Sequence, residues 1–135
     1  MKLTARYKFA ASHRLNLAHL SAEENHRLFD KCNNPYGHGH DYQLEVTLEG
    51  PVGADGQIVN RADLDRLVHE RVISKLDHRN LNCDVPDFAG TNPTTENLAE
   101  LIGRWLLTDW NLCPRLARLG IIETPKNVFV WEAPR

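Results

Sequence analysis

The residues best suited to chemistry in this 135-residue chain lie in one stretch, Cys32-Asn33-Asn34-Pro35-Tyr36-Gly37-His38-Gly39-His40-Asp41-Tyr42. Side chains alternate along a strand, so His38 and His40 face the same way and can close on one ion. Gly37 and Gly39 keep the intervening backbone slim. Imidazole nitrogen suits zinc, and two histidines are too few for a stable site. A third ligand must come from elsewhere, and His13, at the end of the first expected strand, is the best candidate. Three neutral histidines leave a position open for substrate or water, which is the arrangement of catalytic zinc. Cys32 has two readings: a fourth ligand that closes the site, or a thiolate base or nucleophile whose pKa is lowered by nearby positive charge.

Two further groups stand apart in sequence. Asp77-His78 is either an acid/base pair, with the carboxylate orienting the imidazole, or a histidine stabilised at a helix C-terminus. Glu123 ends the apolar run Gly120-Ile121-Ile122, so it is a strand-end surface residue or an anchor for a cationic or N–H-rich ligand. His19, His26 and His69 have no such context and are read as background. Cys83 and Cys113 are read as packing residues.

The elements that must position these groups follow from periodicity. Leu3, Ala5, Tyr7 and Phe9 alternate on one strand face, and Tyr42 to Glu49 alternates more cleanly. Gly50-Pro51 ends that strand, Asp55-Gly56 supplies a turn, and Gln57 to Asn60 is expected as a short return strand. Ala62 to Leu76 carries Leu64, Leu67, Val68, Val72 and Leu76 at helical spacing. Thr95 to Trp110 carries Leu98, Leu101, Ile102, Trp105 and Leu106, with Thr94 or Thr95 as cap and Glu96 in the first turn. Strands are expected again at Leu119 to Glu123 and Val128 to Trp131. The whole reads as α+β, an antiparallel sheet with helices on one face, forming a single domain over residues 1–135.

Composition removes whole classes of function. Sixteen Lys and Arg against eighteen Asp and Glu give a net charge of −2, which excludes a broad basic field for nucleic acid or anionic membrane. No apolar run approaches the ~18 residues of a membrane span, and the N-terminal residues lack a signal-peptide core, so the expected location is the cytosol. Three cysteines without a C-x-x-C pair argue against a disulfide framework and a zinc ribbon. The His-x-His-x-Asp pattern of metallo-β-lactamase-like hydrolases fails at Tyr42. Amidohydrolases carry His-x-His on a barrel of about 250 residues, nearly twice this length.

Together the motifs carry a family resemblance. Ala11-Ser12-His13-Arg14-Leu15, Leu20-Ser21-Ala22-Glu23-Glu24-Asn25, Cys32 through Tyr42, Leu76-Asp77-His78-Arg79-Asn80-Leu81, Thr94-Thr95-Glu96-Asn97 and Glu123-Thr124 resemble the 6-pyruvoyl tetrahydropterin synthase family, in order and over almost the whole chain. The related 6-carboxytetrahydropterin synthases of deazapurine (queuosine-type) biosynthesis place their cysteine closer to His-Gly-His, so the pyruvoyl type is the nearer match. Asp41 stands where that subgroup usually has Asn.

The resemblance implies a T-fold whose sheets join between subunits into a barrel, two rings stacking into a homohexamer (a dimer of trimers) with active sites completed between subunits. It implies 7,8-dihydroneopterin triphosphate as substrate, with elimination of triphosphate and no nicotinamide. It assigns His13, His38 and His40 to zinc, Cys32 to the general base, Asp77 and His78 to its proton relay, and Glu123 to the pterin's 2-amino and N3–H edge, with a part in the relay as well. Thr94, Thr95 and Glu96 resemble the segment framing the pterin. Arg14 is expected at the triphosphate because it follows a ligand in a chain with no broad basic surface. A 6-carboxytetrahydropterin synthase and a non-catalytic zinc or pterin-binding module are the alternatives.

Overall fold

Strand β1 (Lys2–His13) turns Ala5, Phe9, Ala11 and His13 to the interior and its even-numbered residues outward. β2 (His38–Glu49) buries Tyr42, Leu44, Val46 and Leu48 on the same side. The two pair antiparallel without interruption from Lys2↔Glu49 to His13↔His38, so the register that buries the apolar face also sets His13 directly opposite His38. β4 (Arg115–Ile122) flanks β2, with an irregularity between Thr47 and Leu48, and β5 (Phe129–Glu132) flanks β4. The coordinates are a computed structural model that describes residues 1–135.

The sheet order is β3-β1-β2-β4-β5, where β3 (Arg79–Asn80) runs parallel to β1 at Ala11 and Ser12. The expected antiparallel sheet is therefore antiparallel except at this two-residue edge. No return strand forms at Gln57 to Asn60. Both edges of β2 are taken by β1 and β4, and Asn60 instead accepts from Asp63 N as a helix cap.

Helix α1 (Ala22–Phe29), capped by Ser21, was not foreseeable from apolar spacing because only Asn25 is buried in it. The expected helix over 62–76 forms as α2 (Arg61–Val68), a wider π-turn at His69–Ile73, and α3 (Ser74–Leu76). A short α4 (Leu81–Asp84) follows β3. Helix α5 (Thr95–Leu107) is capped by the Thr94 hydroxyl, which accepts from Asn97 N at 3.2 Å. It stops before Trp110 because Asp109 takes a left-handed φ of 53° and Arg71 donates to the carbonyls of Leu106, Thr108 and Asp109. Leu98, Leu101, Ile102 and Leu106 are buried against the sheet, each contributing about 1.5–3 kcal/mol. Gly103 is required for that packing, since a Cβ there would come within 2.5 Å of the Trp131 ring.

The opposite sheet face carries charge: Arg6 and Arg118 both pair with Glu45, at 3.2 and 3.5 Å. Cys83 and Cys113 are exposed rather than packed, correcting the sequence expectation; Cys83 lies on α4 and Cys113 precedes β4, both outside the helix–sheet core.

Candidate metal and active site

The site forms where β1 ends, β2 begins and β4 runs out. His13 is fully buried, and its Nδ1 lies 2.8 Å from the Pro93 carbonyl, just ahead of α5. A carbonyl only accepts, so Nδ1 carries the proton and donates it, leaving the Nε2 lone pair free to bind a metal. Nε2 of His40 lies 3.0 Å from Nε2 of His13 and 3.3 Å from Nδ1 of His38. The Cys32 thiol approaches the same His40 nitrogen at 3.6 Å, and Glu123 Oε1 at 2.9 Å. Four side chains, His13, Cys32, His38 and Glu123, thus converge on one imidazole.

Local sequence explains the approach. Gly37 has φ of +83°, and a Cβ there would lie 3.0 Å from the His13 carbonyl oxygen, so the chain can enter β2 at this point only as glycine. Asn34 Oδ1 accepts from Tyr36 N, and Gly37 N donates to Asn34 O, folding Asn34-Pro35-Tyr36-Gly37 into the turn that aims His38. Tyr42 stacks on Phe9 with ring centroids 5.0 Å apart, and its hydroxyl lies 3.4 Å from His13 Nδ1.

Burial pushes the His13 imidazole below its ordinary pKa, favouring the neutral form that binds metal. Glu123 is held down at about 2, first by its hydrogen bond with His40 and, against the opposing effect of burial, also by that from Thr95. Burial raises the Cys32 thiol, with Glu123 and Asp30 adding to the effect.

The donors fit zinc. Metal–nitrogen bonds of about 2.0–2.1 Å in a tetrahedron separate ligand nitrogens by about 3.3 Å, close to the spacings here. Two ligand sets share His13 and His40. In one, Cys32 and Glu123 bring ligand atoms to within 4.8 Å of those of His13 and His40. In the other, His38 lies outside this group and meets it only through His40 Nε2, at 3.3 Å.

The remaining sequence candidates lie around this centre. Thr95 donates to Glu123 Oε2 at 2.6 Å, Thr94 caps α5, and Glu96 is exposed. Arg14 is half-buried with Nε on the Asn33 carbonyl at 3.3 Å. Asp77 Oδ1 accepts from Ala10 N and His78 N donates to Ala10 O, so the pair fastens to the outer edge of β1. The His78 ring is 83% exposed and 3.6 Å from Asp77. Asp77 shares with Glu123 a cleft of about 710 Å³ that also includes Lys8, Asp41 and Gln43. Neither Asp77 nor His78 joins the convergent histidine cluster within one chain. The Pro93 carbonyl left no signal in sequence, being backbone. Tyr42 did leave one, since it lies two residues beyond His40 on the same strand face.

An open five-stranded sheet with helices on one face and a histidine cluster at the strand ends defines a T-fold protein with a candidate metal centre. The sequence profile described as 6-pyruvoyl tetrahydropterin synthase matches residues 2–134, and the chain belongs to that family. It is 41% identical over 138 residues to the 6-pyruvoyl tetrahydrobiopterin synthase of Homo sapiens, covering 97% of this chain and 90% of that one. The solved 6-pyruvoyl tetrahydropterin synthase of Caenorhabditis elegans superposes with a TM-score of 0.89 at 36% identity, covering 99% of this chain and 96% of that one. A more distant relative, a putative 6-carboxy-5,6,7,8-tetrahydropterin synthase of Archaeoglobus fulgidus, is 38% identical over 61 residues, 45% of this chain and 48% of its own.

Proposed function

We propose that the chain is a zinc-dependent lyase converting 7,8-dihydroneopterin triphosphate to 6-pyruvoyl tetrahydropterin with loss of triphosphate, in tetrahydrobiopterin-type biosynthesis. The observation that carries this reading is the convergence of His13, His38 and Cys32 on Nε2 of His40 in a chain of this family. His13, His38 and His40 would hold the zinc. When bound, the ion supplies Lewis-acid charge that acidifies the C–H and O–H groups of the substrate side chain.

The chain's own residues do the rest. Cys32 takes the substrate proton as base, and Asp77 with His78 receives it. Glu123 grips the 2-amino and N3–H edge of the pterin through charge-assisted hydrogen bonds, with Thr95 holding its second oxygen and Thr94 and Glu96 framing the ring. Arg14 meets the triphosphate.

The exposed His78 ring, beside a half-buried Asp77, supports a site shared between chains, as does the unpaired outer edge of β1 along Lys2–Phe9. We therefore include a homohexamer built as a dimer of trimers. No helix is long and apolar enough to cross a membrane. Three free cysteines support a cytosolic location.

Incubating the zinc-loaded protein with dihydroneopterin triphosphate and identifying the pterin decides the reading. 6-Pyruvoyl tetrahydropterin is the expected product. Acetaldehyde with 6-carboxytetrahydropterin would favour the activity named for the Archaeoglobus relative. No turnover, with Cys32 bound to the metal, would favour a binding module, a reading supported by the His13-Cys32-His40-Glu123 group.

A further inference from the structure

The Cys32-Asn33-Asn34-Pro35 segment contains one residue that no role above uses. Asn33 is only 8% exposed, and its amide Nδ2 donates to the Leu15 carbonyl at 2.7 Å and to Asn16 Oδ1 at 3.0 Å. The bonds on either side join the same two segments. Leu15 N donates to the Cys32 carbonyl at 2.7 Å, and Arg14 Nε donates to the Asn33 carbonyl at 3.3 Å. Residues 14–16 leave β1 immediately after His13, so the turn bearing the thiol is bolted to the strand end bearing an imidazole. Between them the chain makes a long excursion through α1, whose outer surface is exposed and which holds the turn only through sequence continuity. With the Asn34–Gly37 turn on its other side, these bonds hold Sγ 3.6 Å from His40.

We propose that Asn33 is a positioning residue for Cys32, fixing the thiol against the histidine cluster by tying its turn to Leu15 and Asn16. This rests on the reading of Cys32 as the base, but the geometry is tested separately from catalysis. The residue type follows from the partners. Both acceptors face Nδ2, so the position needs an N–H₂ donor; a carboxylate would set oxygen against oxygen. A buried Asn that served only to close the loop would have its bonds within one segment, as Asn25 does with Leu17, Leu20 and Ser21. Asn33 instead bridges to the residues beside a candidate ligand.

The test is iodoacetamide alkylation of the zinc-loaded protein at fixed pH, read per cysteine by mass spectrometry. The exposed Cys83 and Cys113 serve as internal references. In Asn33→Ala, Cys32 should react about fivefold faster or more, with the reference cysteines within about twofold of wild type. Zinc per chain should be unchanged, and kcat should fall about tenfold with KM within about twofold. Asn16→Ala, at an exposed position that leaves the fold intact, should move Cys32 in the same direction by about twofold, and it decides the matter alone if Asn33→Ala does not fold. An unchanged Cys32 rate overturns the proposal, and so does parallel acceleration of all three cysteines, which would mean general loosening. If Cys32→Ala itself keeps full turnover, the base assignment falls, while the alkylation rates still decide whether Asn33 holds the thiol.

Discussion

The hydroxyl of Thr95 donates to Oε2 of Glu123 across 2.6 Å, joining the first turn of α5 to the end of β4. Two residues earlier, the Pro93 carbonyl holds His13, so one short segment orients both a carboxylate and an imidazole. Removing a hydrogen bond to a charged group forfeits about 1.5 kcal/mol or more, roughly tenfold in binding. Thr95→Val keeps the shape and loses the donor. Its KM for the pterin substrate should rise about tenfold with zinc content unchanged, while Thr95→Ser stays near wild type. Steady-state kinetics with metal analysis checks this, and an unchanged KM would remove Thr95 from any role in orienting Glu123.

The two ligand sets that share His13 and His40 predict different metal losses. With three histidines as ligands, alanine at His13, His38 or His40 should weaken zinc by well over about 100-fold, beyond the 10–100-fold typical of outer-shell partners. Cys32→Ala and Glu123→Gln should keep stoichiometric metal. Chelator competition distinguishes the sets: zinc retained in His38→Ala but lost in Cys32→Ala would transfer the site to the group containing the thiol and carboxylate.

How far the site was legible in sequence depends on whether its geometry comes from local periodicity or from long-range pairing. Alternation of Leu3, Ala5, Tyr7 and Phe9 extends without a break to Ala11 and His13, so the facing of His13 was readable from period two. The same logic put His38, His40 and Tyr42 on one face. The pairing of His13 with His38 needed the register, and that is set by the apolar faces of two strands separated by the α1 excursion. Glu123 reaches His40 from the far end of the chain; its place after an apolar run singled it out as an anchor candidate and the family resemblance assigned it to the pterin, but neither pointed to His40. His78 has a left-handed φ of 59°, a conformation histidine adopts more readily than most residues but too rarely to be read from its type. The Gln57 to Asn60 error has the same origin: local alternation says nothing about whether a neighbouring edge is free.

The Tyr7 hydroxyl donates to Asp65 Oδ1 at 2.7 Å, tying β1 to α2 away from the active site. Burial, and then this bond, raise the Tyr7 pKa, while the same bond lowers that of Asp65, with Arg61 assisting. For the raised group, stability is complete below the unfolded value of about 10 and is lost as pH rises beyond it. For the lowered group, stability is present above the unfolded value of about 3.9 and is lost as pH falls through the folded one. Wild type should therefore exceed Tyr7→Phe in stability between about pH 4 and 10, by about 1 kcal/mol because Asp65 is half-exposed, with the gap narrowing on both sides. Urea titrations of the two proteins across pH measure the gap directly. A pH-independent difference would mean that packing, not the hydrogen bond, separates them.

A site divided between chains has a consequence that a site within one chain lacks. Cys32 sits in the histidine cluster, whereas His78 lies exposed at the β1 edge, where a neighbouring subunit would add its own sheet. Cys32→Ala and His78→Asn should each be nearly inactive alone; asparagine is chosen because it tolerates the left-handed backbone at this position. When equal amounts are co-assembled at random, a shared site receives an intact Cys32 half the time and, independently, an intact His78 half the time. Turnover should then recover to about one quarter of wild type, because the proposed closed rings would set one chain's thiol beside the next chain's imidazole. If both residues serve the same chain's site, no mixed assembly contains a complete set, and the mixture stays as inactive as its components. Measuring turnover against mixing ratio strengthens the test, since a shared site gives a parabola with its maximum at equal amounts.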